Sequence, residues 1–253
     1  MPSGCSAVAR SLSGWAAVSA RGARDAGYVS RTLSPDSSLP SRAARGIVFD
    51  LDGTLVDSLP DIISSFLHGF EALGLPSPGA EQVRALIGEP LEAMYAELAP
   101  GEHVAALCAH YREYYPRHFT DHSRPFPGVV EALTTLRERG YLLAVATTKR
   151  TDMARRFVEA MGLSPLLHHV QGTDGFAHKP APDVVLRALA ALGTQGLWMV
   201  GDTTLDMGAG RAAGLRTYAL TWGTHPKELL RTAEPDLLEP DLGALLARLP
   251  PLG

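Results

Sequence analysis

Two carboxylates one residue apart follow a short apolar run near position 50. Residues Ile47 to Phe49 are β-branched or aromatic, which is typical of a buried strand, and Asp50, Asp52 and Gly53 come after them. In an open α/β sheet, ligands bind beyond the carboxyl ends of the strands, so acids placed there are suited to nucleophilic, acid–base or metal-binding chemistry. Asp-Gly is also a common turn dipeptide, so these residues alone leave an acidic turn as the alternative.

Polar residues also follow two apolar runs later in the chain. Thr147 and Thr148 come after the strand predicted at 141–146, and Asp202 comes after the strand predicted at 197–200. Parallel strands bring their carboxyl ends to one edge of a sheet, so residues spread over more than half the chain are expected to converge on one crevice.

Asp206 and Lys179 extend this group of polar residues. Asp206 lies one helical turn beyond Asp202, and Lys179 lies in a loop expected at the same edge. Several carboxylates in one crevice repel one another unless a cation is present, and carboxylate and carbonyl oxygens suit a hard divalent ion such as Mg²⁺. Lys179 and Thr147 would then complete a cradle for a dianion such as a phosphate group.

The elements that must position these residues are predicted from hydrophobic periodicity. Strands alternate with helices from residue 129 onward, which indicates an α/β fold with a Rossmann-like, doubly wound parallel sheet. Residues 59–123 have helical periodicity instead, beginning at Ser58, a good N-cap with Asp61 three residues later. We therefore predict a core domain of residues 45–58 and 124–253, with an inserted α-helical subdomain at 59–123.

The N-terminal residues have a different composition from the rest of the chain. Residues 1–44 are rich in Ser, Ala, Gly and Arg and have no sustained hydrophobic period, so we expect a disordered N-terminal tail. A start that is rich in Ser and Arg and poor in acids is also compatible with an organelle transit peptide.

Composition excludes several classes of partner. The formal net charge of −4 provides no basic surface for nucleic acid, and no apolar stretch is long enough to span a membrane. Cys5 and Cys108 cannot build a disulfide framework, and no Cys or His cluster has zinc spacing. We therefore expect a cytoplasmic protein, monomeric or homodimeric, that binds neither nucleic acid nor a membrane.

In chain order, four short motifs resemble those of the haloacid dehalogenase superfamily of phosphohydrolases. The similarity extends from about residue 46 to the end of the chain, and the helical insert resembles the small cap of that superfamily. The segments at 86–88 and 126–129 are similar to its phosphoglycolate phosphatase branch. The residues that carry the four motifs are Asp50-Leu-Asp52-Gly53-Thr54 continuing to Ser58, then Thr147, then Lys179-Pro180, then Gly201-Asp202-Thr-Thr-Leu-Asp206.

The resemblance implies a role for each carboxylate. Asp50 would be the nucleophile that forms an aspartyl phosphate. Asp52 would protonate the leaving oxygen and then activate the water that hydrolyses the intermediate. Mg²⁺ would bind the carboxylates of Asp50 and Asp202 and the backbone carbonyl of Asp52, and Asp206 would orient the lysine or a metal-bound water.

The remaining motif residues would bind the phosphoryl group or support the site. Thr147 would hydrogen-bond that group, and Lys179 would balance the charge of the nucleophile. Thr148 stands where family members often have Asn, which puts only a secondary substrate contact in doubt. Gly53 and Thr54 would support the turn that follows the first strand.

The predicted function is hydrolysis of a small organic phosphate monoester, with 2-phosphoglycolate as the first candidate. A sugar phosphomutase similar to β-phosphoglucomutase is the alternative, because it shares the motifs and the cap. A non-catalytic phosphate-binding module is less favoured, since Asp50 and Asp52 are both present. Asp52 also disfavours dehalogenation, and the absence of any lysine between residues 59 and 124 disfavours a Schiff-base phosphonate hydrolase.

Overall fold

The computed structural model describes residues 45–252 of the 253-residue chain. The tail predicted at 1–44 lies outside the described residues. In chain order the elements are β1 (Arg45–Phe49), β2 (Val56–Asp57), α1 (Leu59–Ala72), α2 (Ala80–Arg84), α3 (Leu91–Leu98), α4 (Val104–His118), β3 (Arg124–Pro125), α5 (Val129–Glu138), β4 (Leu142–Ala146), α6 (Thr151–Ala160), β5 (His169–Gln171), α7 (Asp183–Leu192), β6 (Gln195–Gly201), α8 (Thr204–Ala212), β7 (Arg216–Leu220), α9 (Lys227–Thr232), β8 (Leu237–Glu239) and α10 (Gly243–Arg248).

Six parallel strands form the central sheet, in the order β5-β4-β1-β6-β7-β8. The chain leaves β1 towards β4 on one side and leaves β6 towards β7 on the other, so the neighbouring strands β1 and β6 form the topological switch point. Phe49, at the end of β1, is in register with Val145 of β4 and Val200 of β6. Ligands of doubly wound folds bind at such a point, and the predicted fold class is confirmed.

Alternate residues of the strands pack on opposite faces of this sheet. Val48 of β1 and Met199 of β6 pack with α7 and α8 on one face. Ile47 and Phe49 belong to the larger cluster on the other face, which continues into the helical insert. Both faces are therefore covered by helices, which explains why the strands are continuous apolar runs rather than alternating ones.

Helices α1 to α4 lie between β2 and β3 in the chain, and aromatic side chains fill their centre. The ring of Phe66 stacks on that of Tyr95 with centroids 3.9 Å apart, and the Tyr95 hydroxyl donates to the Phe66 carbonyl at 3.0 Å. Strands β2 and β3, which carry the chain into and out of these helices, pair antiparallel. The division into a core at 45–58 and 124–253 and a cap at 59–123 stays a prediction.

Local differences from the predicted elements have simple causes. The side chain of Ser58 does not cap α1, because its hydroxyl donates to Asp52 Oδ1 at 2.6 Å instead. Helix α9, strand β8 and the β2–β3 pair were not predicted, since segments of two to six residues are too short to show a period. No helix between residues 45 and 252 combines the length and the apolar character needed to cross a membrane.

Candidate active site

A buried lysine and two carboxylates form the centre of the candidate site. Asp50 follows β1, and its backbone N–H donates to the Val200 carbonyl at 2.8 Å, which ties the ends of β1 and β6 together. Lys179 Nζ lies 2.5 Å from Asp50 Oδ1, 2.6 Å from Asp206 Oδ1 and 3.1 Å from the Ala146 carbonyl. These three acceptors match the three donors of an ammonium group, so the lysine is held in one position.

The electrostatics of this centre follow from burial and from the neighbouring charges. Asp50 is only 6% exposed, and burial raises its pKa well above the ordinary value, although Lys179 acts in the opposite direction. Burial lowers the pKa of Lys179, but the carboxylates of Asp206 and Asp50 outweigh that effect and raise it. Lys179 therefore remains a cation at the centre of the site.

Asp202 follows β6, lies beside Asp50 and is fully buried. Its Oδ1 accepts the hydroxyl of Thr54 at 2.6 Å, and its Oδ2 accepts the backbone N–H of Thr224 at 2.6 Å. Burial, and then the nearby Asp206 carboxylate, raise the pKa of Asp202 to about 6. Gly53 has a φ of 79°, and a Cβ at this position would overlap the Asp202 carboxylate, so both the turn and the close approach require glycine there.

Asp206 is fixed by the first turn of α8. Its Oδ2 accepts the Thr203 hydroxyl at 2.7 Å and the backbone N–H groups of Thr203 and Asp202 at 3.0 and 3.2 Å, while the Thr203 hydroxyl oxygen accepts the N–H of Asp206. This is a capping box, which leaves Oδ1 free to hold Lys179. The supporting role predicted for Asp206 stays a prediction, but its bond to the lysine is compatible with that role.

Three of these carboxylates could hold a metal ion. Single oxygens of Asp50, Asp202 and Asp206 all lie within 4.8 Å of one another, and all three residues are buried. The four carboxylates at this edge exceed the two lysine ammonium groups by two formal negative charges, and burial makes that excess costly. An oxygen-only donor set and this charge fit a hard divalent cation. The carboxylate of Asp52 is not part of this cluster. The atom by which Asp52 is predicted to bind the metal is its backbone carbonyl oxygen.

Asp52 lies at the same edge but has different partners. Its Oδ1 accepts the Ser58 hydroxyl, and Lys149 Nζ lies 2.8 Å from Oδ1 and 2.7 Å from Oδ2. The ammonium group also lies over the rings of Tyr115 and Phe157, with its nitrogen 4.9 and 5.1 Å from their centroids.

The site opens into a cavity of about 530 Å³ between the sheet edge and the helical insert. The lining includes the predicted catalytic residues Asp50, Asp52 and Lys179, and the predicted substrate contact Thr148. Their roles stay predictions. Thr147 is not in the lining; it is buried, and its hydroxyl oxygen accepts the backbone N–H of Lys149 at 3.2 Å. The residues that the helical insert contributes to the lining include Ile62, Ile87, Gly88, Met94, Tyr111 and Tyr115.

Several residues of the site were missed by the sequence reasoning. Lys149 is not among the predicted site residues, although its place directly after Thr148 was a usable signal. Tyr115 is not among the predicted site residues either, but it lines the cavity, where its hydroxyl has no hydrogen-bond partner among the described residues. Thr224 belongs to a loop after β7 whose role appears only when the sheet is folded.

The fold and the site are typical of a doubly wound α/β protein with a carboxylate site at its switch point. Within that class, residues 47–220 match the haloacid dehalogenase-like hydrolases, and the chain belongs to this family. The resemblance seen in the four motifs is thereby confirmed.

Curated relatives cover most of the chain. Probable phosphatase IndB of Dickeya dadantii is 37% identical over 201 residues, which span 76% of this chain and 87% of that protein. Pyrophosphatase PpaX of Halalkalibacterium halodurans is 34% identical, spanning 75% and 89%. A phosphoglycolate phosphatase of Vibrio cholerae is 31% identical, spanning 79% and 94%.

Solved structures agree with these relatives. A haloacid dehalogenase-like family hydrolase from Streptococcus pneumoniae superposes with a TM-score of 0.74 at 32% identity, over 81% of this chain and 97% of that one. The family match and the phosphatase relatives confirm the prediction of a phosphoric monoester hydrolase.

Proposed function

We propose that the chain hydrolyses a small organic phosphate monoester in a Mg²⁺-dependent reaction that passes through an aspartyl phosphate at Asp50. The observation that carries the proposal is the position of Asp50. Its carboxylate ends β1 at the switch point, lines the cavity and is bonded to the Lys179 ammonium group. A buried carboxylate with a cation beside it and a cavity in front of it is suited to attack an anionic phosphoryl group.

Two displacement steps at phosphorus account for the reaction. In the first, an Asp50 oxygen forms a bond to phosphorus, the bond to the leaving oxygen breaks, and Asp52 gives that oxygen a proton. In the second, water attacks the phosphorus, Asp52 accepts its proton, and the bond to Asp50 breaks to release phosphate. Each step moves one proton through Asp52, which ends in the state in which it began.

Thr147, Thr148 and Lys179 would bind and orient the phosphoryl group. Thr147 is buried behind the cavity lining, so its contact requires a phosphoryl oxygen that reaches past Thr148. Its hydroxyl oxygen accepts a bond from Lys149, which leaves its own proton available to donate. Thr148 lines the cavity next to it. Lys179 offsets the charge that accumulates on the nucleophile and the phosphoryl oxygens.

The metal site would be formed by the carboxylates of Asp50 and Asp202 and the carbonyl of Asp52. Thr54 and Thr224 orient Asp202 for that role, since each of its oxygens already has one fixed donor. When bound, Mg²⁺ would neutralise negative charge on the transferring phosphoryl group.

The substrate class is proposed from the relatives and from the cavity. A volume of about 530 Å³ suits a metabolite of modest size, and one relative is a phosphoglycolate phosphatase. We therefore propose 2-phosphoglycolate as the first substrate to test. The pyrophosphatase relative makes inorganic pyrophosphate the first comparison. Oligomeric state and cytoplasmic location stay predictions.

The test is a phosphate-release assay over a panel of metabolite phosphates with and without EDTA. We expect Mg²⁺-dependent release from at least one small monoester, and none from an Asp50→Asn variant with an unchanged circular dichroism spectrum. Full activity of that variant would contradict the covalent mechanism. Conversion of a hexose 1-phosphate to its 6-phosphate, with a bisphosphate primer and little phosphate release, would instead support the mutase alternative. An inert protein across the panel would favour the binding module.

A further inference from the structure

Lys149 is a half-buried cation in the cavity lining, and the four family motifs assign no role to it. It follows Thr148 at the carboxyl end of β4, and its ammonium nitrogen lies within 2.8 Å of both carboxylate oxygens of Asp52. Both side chains are only 12% exposed. An ion pair so little exposed is expected to restrict the motion of its carboxylate more than a surface pair would.

The structure holds Lys149 at both ends. Its backbone N–H donates to the Thr147 hydroxyl oxygen, and its carbonyl accepts the N–H of Thr173 at 2.9 Å. At the other end, the ammonium group lies between the rings of Tyr115 and Phe157, where cation–π attraction favours it. A lysine fixed in this way can orient a partner, because its own side chain has little freedom left to lose.

The hydrogen bonds of Asp52 leave one position open. Oδ1 accepts both the Ser58 hydroxyl at 2.6 Å and Lys149, whereas Oδ2 accepts only Lys149. A carboxylate oxygen has about two acceptor positions, so Oδ2 is the oxygen that can still exchange a proton.

We propose that Lys149 is a positioning residue for proton transfer by Asp52. Lys149 holds the side chain of Asp52 in one orientation. Asp52 enters the first step protonated on Oδ2 and gives that proton to the leaving oxygen. The carboxylate left behind, paired with Lys149 as in this structure, then accepts a proton from the attacking water on Oδ2. Lys149 keeps its own three protons throughout. This inference rests on the proposed function, because it assumes that Asp52 is the acid and base of a phosphatase.

The same contacts connect proton transfer to the helical insert. Tyr115 belongs to α4 of the insert, and Ser58 is the core residue immediately before α1, so the Lys149–Asp52 pair contacts both the insert and its junction with the core. A substrate anion could also recruit Lys149 directly. Direct binding of the substrate would require the ammonium group to leave Asp52, and it predicts a rise in KM when Lys149 is replaced.

The experiment compares Lys149→Met, Lys149→Arg, Asp52→Asn and the double variant Asp52→Asn/Lys149→Met with the wild type. The control is Lys227→Met, which changes an exposed lysine at the start of α9. Two substrates are used: an alkyl phosphate that the wild type hydrolyses, whose leaving oxygen needs a proton, and p-nitrophenyl phosphate, whose leaving group does not.

We expect Lys149→Met to lower kcat on the alkyl phosphate by about 10- to 100-fold, with KM changed by less than about threefold. The rapid first release of nitrophenolate, which reports phosphorylation of the enzyme, should change by less than about threefold. In long incubations with the alkyl phosphate, Lys149→Met should add less than about threefold to the loss already caused by Asp52→Asn, since the lysine acts through that carboxylate. Lys149→Arg should recover most of kcat, because a guanidinium can also hold both carboxylate oxygens.

Each of the following outcomes would overturn the inference. Equal losses in the rate of enzyme phosphorylation by the two substrates, or a full additional loss in the Asp52→Asn background, would show that Lys149 does not act through Asp52. A rise in KM confined to esters that carry a second negative charge would assign Lys149 to substrate binding. Unchanged kcat in Lys149→Met would refute the inference alone, whereas a wild type that hydrolyses neither p-nitrophenyl phosphate nor any alkyl phosphate of the panel would refute the proposed function as well.

Discussion

Replacing Lys179 by methionine should strongly destabilise the protein, because the change removes an ammonium group and keeps most of the side-chain length. In the wild type this group lies within 2.6 Å of carboxylate oxygens of Asp50 and Asp206, and the lysine is 5% exposed. Methionine would leave two buried carboxylates without their cation. Removing one partner of a buried pair costs about 3–5 kcal/mol. That is a large part of the roughly 5–15 kcal/mol by which domains are stable.

The cost of Lys179→Met should depend on pH in a known direction. Burial raises the pKa of Asp50, and Lys179 is the neighbour that lowers it. Without the lysine, the folded-state pKa of Asp50 should therefore rise further above the unfolded value. A carboxyl of this kind destabilises the folded state at high pH, and the cost falls as the pH falls and the group is protonated. The deficit should be largest near pH 8 and should shrink towards pH 5.

The assay is equilibrium urea unfolding from pH 5 to pH 8 in EDTA, so that no divalent ion substitutes for the ammonium group. Lys227→Met is the matched control, since Lys227 is exposed, and it should change the free energy of unfolding by less than about 0.5 kcal/mol. A deficit below about 1 kcal/mol at pH 8 for Lys179→Met would refute the reasoning, because that is the cost of an ordinary substitution. A deficit that is constant with pH would show that the ionisation of Asp50 is not the source of the lost stability.

Two further substitutions test other parts of the structure. Asp61 is buried and accepts the N–H and the hydroxyl of Ser123 at 2.8 and 2.7 Å. Asp61→Ala should therefore lower the free energy of unfolding at pH 7 by about 2–4 kcal/mol in urea titrations. A loss below about 0.5 kcal/mol would contradict this prediction. A Cβ on Gly223 would overlap the Asp202 carboxylate, so Gly223→Ala should reduce Mg²⁺-dependent phosphatase activity by about 100-fold or more. The control is Gly101→Ala, which should not change that activity because a Cβ at Gly101 meets nothing within 4 Å. Equal activities of the two glycine variants would show that Asp202 can move without loss.

The pH dependence of Asp61→Ala follows from the same contacts. Burial raises the pKa of Asp61, but the hydrogen bonds from Ser123 and His122 outweigh this and lower it below the ordinary value of 3.8. A carboxyl with a lowered pKa stabilises the folded state above its unfolded pKa, and that stability is lost as the pH falls through the folded pKa. The difference between wild type and variant should therefore persist from pH 8 to pH 5 and shrink below about pH 4.

The strands and the site edge could be predicted from sequence because their signals are local. β1 is an apolar run followed by Asp50 and Asp52, and β6 is followed by Asp202, so the parallel sheet alone predicts that these acids converge. The order of the strands places β1 beside β6, and this arrangement brings Asp50 and Asp202 into one metal-binding cluster.

Other parts of the site depend on contacts distant in the chain, which no local pattern contains. Lys149 is 97 residues from Asp52, and the bond between them forms only because β4 pairs with β1. Ser58 has the sequence features of a helix cap, in which its oxygen would accept a backbone N–H. Its hydroxyl donates to Asp52 instead, because a hydrogen bond to a carboxylate is stronger than one between neutral groups. Thr224 contacts Asp202 through a loop with no regular period.

The central claim is that Asp50 forms the bond to phosphorus, and trapping the intermediate tests it most directly. The wild type would be mixed with an established substrate and Mg²⁺, quenched in acid, and treated with borohydride, which reduces an aspartyl phosphate to homoserine. Peptide mass spectrometry should then find homoserine at position 50, and none in protein that was not exposed to substrate. Homoserine or phosphate at another residue, or no modification at position 50 in an enzyme that phosphorylates rapidly and hydrolyses slowly, would contradict the account.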